Sequence, residues 1–262
     1  MPSLLCLDLG NTHTHLGLVA DGGSVAGAEN VPTALLDDAA RGLGPALARL
    51  TTAHGAAQGA AFCSVVPEAS ARLRSALTAA GLAAPVFQLT HESNLGVSLS
   101  YPRPAEIGQD RLANAAAARA LGAVPAVVID LGTAVTFDIV TARGGYEGGI
   151  IAPGLDVMRH YLHDRTAQLP LLGDGALAMP ASVIGKSTAD AMLIGLTAGF
   201  AGMIQALLDA VLAELAARGE TAPAVIVTGG CAEFVAGRLR PAPRVEPHLT
   251  LLGLAAAWRL NR

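Results

Sequence analysis

The chain has 262 residues, 52% of them apolar and 15% charged, with a formal net charge of −4 and 3% aromatics. That length allows one large domain or two of half size, and the composition excludes a disordered segment or a coiled coil. The 17 basic residues form no run, which argues against a nucleic-acid partner, and so few aromatics argue against a stacking platform for single strands. Cys6, Cys63 and Cys231 are far apart in the chain, so neither a disulfide framework nor a zinc knuckle is expected, and a reducing cytosol suits them.

The first residues, MPSLLCLDLGN, carry no basic leader and meet Asp8 early, so they do not read as a signal peptide. Short β-branched or leucine-rich runs predict strands over 4–9, 16–19, 60–66, 86–89, 126–130, 136–140 and 224–228. Alanine-rich stretches with helical apolar spacing predict helices over 34–50, 68–80, 110–121, 189–217 and 249–260. Gly81, Gly122 and Gly219 follow three of these as C-cap candidates. The stretch 191–208 has no charge and touches the lower length of a membrane span. Thr197, Gln205 and three glycines inside it, with Asp209 and Glu214 beyond, make it a buried helix of a globular protein and not a membrane anchor. Strands first, then alternating helices and strands, read as α/β with mixed sheets.

A repeat organises the chain. Leu7-Asp8-Leu9-Gly10-Asn11 returns as Ile129-Asp130-Leu131-Gly132-Thr133. Each copy follows an apolar strand and precedes an alternating one, over 14–19 and 136–140, so each predicts a β-hairpin whose turn opens with Asp-x-Gly. A period this long is a duplicated domain of about 120 residues, not a solenoid. The expected domains are 1–118 and 119–262, with the last helix free to pack back on the first.

Glycine in such a turn lets the backbone approach a ligand and aim N–H groups at it. Asn11, Thr12, Thr133 and Thr136 add neutral donors that suit an anion. The aspartates Asp8 and Asp130 would hold a cation, directly or through water, and the cation would meet a phosphate. A D-x-G alone is an ordinary hairpin turn; two copies in matching strand contexts point to a nucleotide-phosphate cradle without a G-x-x-x-x-G-K-[ST] loop. Thr228-Gly229-Gly230 is a third strand–glycine junction, by itself a tight turn, and beside the other two a place for a nucleoside.

Gly108-Gln109-Asp110-Arg111 opens the predicted helix over 110–121. Asp110 there is either a helix cap or a carboxylate poised beside a hydroxyl acceptor, as phosphoryl transfer needs. The preceding Tyr101-Pro102-Arg103-Pro104 forms a rigid polar loop suited to a binding wall. His160-x-x-His163 with Asp164 lacks a distant third ligand, so it does not make a metal site. His13 and His15 occupy alternate positions of a hairpin strand. Gly195, Gly199 and Gly202 form a helical stripe that permits close approach of another helix, within the chain or across a dimer.

Together these motifs resemble the type III pantothenate kinases, of the acetate and sugar kinase, Hsp70 and actin superfamily. Asp8-Leu9-Gly10-Asn11-Thr12 is similar to that family's first phosphate motif and Asp130-Leu131-Gly132-Thr133-Ala134-Val135-Thr136 to its second. Cys63-Ser64-Val65-Val66-Pro67, Gly108-Gln109-Asp110-Arg111, Gly148–Gly154, Gly185-Lys186-Ser187-Thr188, Thr228-Gly229-Gly230 and a final Pro247-His248-Leu249-Thr250-Leu251 match in order. The resemblance implies two duplicated ribonuclease H-like domains of mixed sheets flanked by helices, with the active site in the cleft between them. It implies transfer of the γ-phosphate of ATP to the primary hydroxyl of pantothenate, the first step of coenzyme A synthesis, by a cytoplasmic homodimer. Asp8, Leu9, Gly10, Asn11, Thr12, His13, Thr14 and His15 would hold ATP phosphates, with magnesium reached from Asp8 through water. Thr133, Gly229 and Gly230 would complete the ATP site, and Asp130 would bind a monovalent cation, potassium or ammonium. Tyr101, Gly108, Gln109, Asp110, Arg111 and Thr188 would hold pantothenate, Asp110 as the catalytic base. No nucleic acid and no membrane partner is expected. His13 replaces a small polar residue and Tyr101-Pro102-Arg103-Pro104 a Tyr-x-Asn-Pro. A nucleotide-binding regulatory relative without catalysis is the alternative, against which intact Asp8, Asp110, Arg111 and Asp130 argue. A kinase for another small alcohol is the third.

Overall fold

Seven mostly apolar residues, Ser3–Leu9, make β1, buried on both faces as a central strand must be. It turns into β2 (His13–Ala20) and β3 (Val25–Pro32), then a 3₁₀ turn, Thr33–Leu35. There follow α1 (Leu43–His54), β4 (Ala57–Ser64), α2 (Pro67–Ala79), β5 (Val86–Gln88) and α3 (Gln109–Ala120). The second half gives β6 (Ala126–Leu131), β7 (Ala134–Thr141), β8 (Gly145–Pro153) and α4 (Leu155–Asp164). Then come α5 (Thr188–Ile194), a π-helical stretch Gly195–Gly199, α6 (Phe200–Ala217), β9 (Ala224–Thr228), α7 (Ala232–Ala236), β10 (Arg244–Val245) and α8 (Leu249–Leu260). The computed structural model describes residues 3–38, 40–82, 84–173 and 181–262.

Two five-stranded sheets result, β3-β2-β1-β4-β5 and β10-β9-β6-β7-β8. Read from the opposite edge, the second repeats the strand order of the first, which is the duplication that the two Asp-x-Gly turns announce. The first is mixed, with β2 antiparallel to β1 and β3, and β4 parallel to β1 and β5. In the second, β9 runs parallel to β6 and β10. The chain packs as two compact units. One holds the stretch up to Val124 with Asp138–Gly148 and His248–Arg262, and the other holds Pro125–Phe137 and Gly149–Pro247. The sequence reading divides the chain once, after 118, whereas these units are assembled from interleaved stretches.

In the first unit the sheet's alternation sorts its side chains. Leu5, Leu7, Leu9 and Phe62 join Leu43, Leu47, Leu50, Leu73 and Leu77 of α1 and α2 in one core. The alternate residues face α8 and α3: a side chain at Gly17 would strike Leu251, and one at Gly59 would strike Trp258. Cys6 and Asp8 of β1 and Cys63 of β4 alternate with that core, which puts them on the α3 side.

The predicted helix over 34–50 begins only at Leu43; residue 39 lies outside the described residues. Asp38 Oδ1 accepts the N–H groups of Ala40 and Arg41 at 2.9 Å each, a side-chain turn that replaces helical bonding there. Strands β3, β8 and β10 and helix α7 are absent from the sequence reading. The 189–217 helix is interrupted at its π-helical stretch. The run Thr188–Ala217 is long and apolar enough to cross a membrane by length and composition, and 39% of its most apolar window is buried, less than a core helix is expected to bury. α2, α3 and α6 end as expected: Gly81, Gly122 and Gly219 have positive φ.

Candidate active site

At the end of β1, Asp8 pairs in register with His15 of β2 and Cys63 of β4. The Cys63 thiol donates to Asp8 Oδ1 at 3.2 Å. Burial, then the charges of Asp8 and Asp110, push that thiol's pKa well up, so it remains a protonated donor. Cys63 is therefore hydrogen-bonded to one carboxylate and feels the charge of a second that is about a hundred residues further along the chain. The following residue closes the link: Ser64 N–H donates to Gln109 Oε1 at 2.9 Å, fixing the start of α3 against the end of β4.

The turn after Asp8 is braced from below. Gly10 N–H donates to His13 O at 3.0 Å, and Thr33 N–H to Thr12 O at 3.0 Å. The Thr33 hydroxyl donates to Gly10 O at 2.8 Å and lies 3.1 Å from the Thr14 hydroxyl. Asn11, Thr12 and His13 are exposed, whereas Leu9 and Thr14 are fully buried. His15 Nδ1 lies 2.7 Å from Asn30 Oδ1, and its Nε2 3.0 Å from His248 Nδ1 in a stacked pair. Burial pushes the His15 pKa down despite the Asn30 hydrogen bond, so the ring is neutral near pH 7.

Gly108 caps α3 with extended backbone, and a side chain there would meet Asp110 Oδ1 at 2.5 Å. Asp110 sits in the first helical turn, and its Oδ1 accepts the Arg111 N–H at 2.8 Å. The same N–H also donates to Gly108 O at 3.1 Å, so the carboxylate shares an end-group of the helix that the backbone already serves. Burial nevertheless raises its pKa, outweighing that hydrogen bond and the Arg111 charge. Arg111, almost fully buried, reaches Asp138 of β7 with Nε at 2.7 Å. Its guanidinium stands 5.8 Å from the ring centre of Tyr146, which lies 6.4 Å from that of Tyr101. Asp138 is fully buried, and burial pushes its carboxyl up to about 7 against the pull of Arg111 and Asn114. Within this unit Asp8, Gln109 and Asp110 gather about Cys63 and Ser64, and Tyr101 and Arg111 about Tyr146.

In the other unit, Asp130 pairs in register with Thr228, so the second Asp-x-Gly motif and the Thr228-Gly229-Gly230 junction are neighbours. Gly229 has φ +91, and a side chain on it would lie 2.7 Å from Asp130 Oδ1 and from Leu131 backbone. Only glycine fits that approach. The Gly132 and Thr133 carbonyls crowd the place where a side chain on Gly154 would be, and Gly154 N–H donates to Thr133 O at 3.1 Å. The Asp130 carboxylate, set against close-packed backbone at Gly229, has the oxygen chemistry that a hard cation takes, and the partly buried Asp8 carboxylate offers the same chemistry at the first turn. Thr188 opens α5, exposed, after Ser187 caps it by accepting the Asp190 N–H at 3.1 Å. Among the described residues no group of three or more His, Cys, Asp or Glu side chains could hold a metal; His163 Nδ1 lies 3.0 Å from Leu169 O instead.

Sequence reasoning assigned no role to Cys63, Ser64, Thr33, Asn114, Asp138 or Tyr146. Cys63 and Ser64 open a motif that was matched, but an S-V-V-P strand end does not reveal a thiol donating to Asp8. Asp138 is one aspartate in an apolar strand and carries no local signal.

The family model for type III pantothenate kinases matches residues 4–210. A type III pantothenate kinase of Streptomyces avermitilis is 38% identical over 267 residues, covering 98% of both chains. One from Chlorobaculum tepidum is 35% identical over 263 residues, covering 100% of this chain and 95% of its own. Among solved structures, a conserved putative Baf family transcriptional activator from Campylobacter jejuni shares the fold, with TM-score 0.60, 18% identity and 97% of both chains covered. The ethanolamine utilization protein EutJ of Carboxydothermus hydrogenoformans does so with TM-score 0.58 and 15% identity, over 98% of this chain and 90% of its own. Matched over most of its length by the family model, and end to end by relatives above 30% identity, the chain belongs to the type III pantothenate kinase family.

Proposed function

We infer that this chain transfers the γ-phosphate of ATP to the primary hydroxyl of pantothenate, giving 4′-phosphopantothenate, the first step of coenzyme A synthesis. Beside the family membership, the observation that carries this reading is the buried carboxylate of Asp110 held next to Arg111 at the opening of α3. In the proposed step the hydroxyl proton passes to Asp110, the hydroxyl oxygen bonds to the γ-phosphorus, and the bond from that phosphorus to ADP breaks. Arg111, Tyr101 and Thr188 hold pantothenate, with Gly108 giving the substrate access to the helix start. Gln109 serves the site by locking α3 to Ser64.

Asn11, Thr12 and His13 meet ATP phosphates at the first turn; Leu9, Thr14 and His15 support that turn from within and beside it. Thr133, Gly229 and Gly230 take the nucleotide at the second. Magnesium, carried by Asp8 through water, and potassium or ammonium at Asp130 would supply neutralisation of phosphate charge. We assign the two halves of the duplication to these two motifs, 1–118 and 119–262, and place the enzyme in the cytoplasm as a homodimer. Exposed Ile151, Val157 and Tyr161, and the open flank of Gly195, Gly199 and Gly202, support a surface that a second copy covers. A coupled ADP-release assay tests the reaction. Release that depends on pantothenate and exceeds that with a panel of other small alcohols is expected; release on another alcohol and none on pantothenate would overturn it.

A further inference from the structure

Arg111 lies almost fully buried on α3, and a guanidinium so placed needs a partner. Four elements converge to provide one. Asp138 of β7 accepts from Nε at 2.7 Å. Tyr146 of β8 donates its phenol to the same Oδ1 at 3.2 Å. Asn114 of α3 donates to Oδ2 at 3.4 Å, and its own Oδ1 accepts from Thr250 of α8 at 3.0 Å. The Tyr146 ring that faces the guanidinium also faces Tyr101. An ion pair this deep adds little stability over apolar side chains of equal volume. Its geometry, however, fixes the plane of a planar cation, because a bond at Nε leaves the guanidinium no free swing about its stem.

We propose that Asp138 is a positioning residue for the substrate: holding Nε of Arg111, it sets the plane in which the guanidinium meets pantothenate. This rests on the reading of Arg111 as a pantothenate contact. Asn114 and Tyr146 hold Asp138 in turn, so orientation passes from the α8–α3 packing to the substrate through three side chains. These hydrogen bonds of Asp138, Asn114, Tyr146 and Thr250 join β7, β8, α3 and α8 and not the residues assigned to ATP, so the effect of disturbing them is expected chiefly on pantothenate.

The test is steady-state kinetics of wild type, Asp138→Asn, Tyr146→Phe, Arg111→Ala and Arg111→Ala with Asp138→Asn, varying ATP and pantothenate separately. For Asp138→Asn the KM for pantothenate is expected to rise on the order of tenfold or more, with the KM for ATP within about twofold of wild type. In the Arg111→Ala background the same substitution is expected to change kcat/KM for pantothenate by less than about twofold, since it acts through Arg111. An equal rise for both substrates, or the same loss in both backgrounds, overturns the proposal. If Asp138→Asn fails to fold, Tyr146→Phe decides: it removes one hydrogen bond and is expected to raise the pantothenate KM alone by roughly two- to fivefold, and an unchanged KM overturns the proposal. A wild type inactive on pantothenate overturns the activity reading and this proposal with it, whereas an active wild type with unsplit variants overturns the role of Asp138 alone.

Discussion

Asp110 illustrates how one side chain can serve a helix and a reaction together. Its Oδ1 accepts the Arg111 N–H, a modest stabilisation of the helix start, while burial favours the neutral form and raises the pKa above 3.8. A base acts ionised. Activity is therefore present above the raised pKa and lost as pH falls through it, so the acid limb of kcat/KM for pantothenate is expected above the ordinary aspartate value. A profile whose acid limb lies at or below 3.8 would contradict the environment found for Asp110. Cys63 shows the opposite economy: a buried thiol, kept protonated, donates to Asp8 and has no ordinary means of acting as a nucleophile.

Among the elements, α3 and α8 set the tolerance of the site. α3 buries Ala113, Ala115, Ala116, Ala117 and Ala118, small enough for α8 to lie against it backbone to backbone. A side chain on Gly253 of α8 would collide with the Ala113 carbonyl. Gly253→Ala is accordingly expected to cost about 1–3 kcal/mol, read as a lower midpoint in urea; an unchanged midpoint would contradict the packing. The same contact region carries Thr250 to Asn114, so loosening it also disturbs the brace on Arg111.

Much of this scaffold was legible in the chain. The runs 4–9, 126–130 and 224–228 are strands because continuous apolar β-formers suit a centre strand buried on both faces. The Asp-x-Gly repeat located both hairpins. β3 and β8 escaped notice because Val-Ala-Gly-Ala-Glu-Asn-Val-Pro and the glycine-rich run before Pro153 owe their strand state to pairing with neighbours. The premature helix start at 34 reflects spacing alone, which does not register the Asp38 turn. At the site, Asp8, Asp110 and Asp130 stood out through motifs, whereas Asp138, Asn114 and Tyr146 gain meaning only once β7, β8 and α3 are folded together.

For the whole molecule, equal strand order in the two sheets makes two Asp-x-Gly turns with different surroundings. Asp8 has a thiol donor, and Asp130 has crowded backbone around Gly229. The second is the setting proposed for a monovalent cation, so turnover is expected to be higher in potassium or ammonium than in sodium or Tris alone; equal turnover would contradict it. The exposed apolar residues of β8 and α4 predict a mass of two chains by light scattering, and a monomer at micromolar concentration would contradict the dimer.

The central claim, that Asp110 is the base of a pantothenate kinase, is tested most directly by turnover of Asp110→Asn at saturating ATP and pantothenate. Asparagine keeps the size of the side chain and an oxygen able to accept the Arg111 N–H. The expected result is a wild-type melting temperature with turnover lowered on the order of 10²–10⁴-fold. Retention of more than about half of wild-type turnover would contradict the assignment.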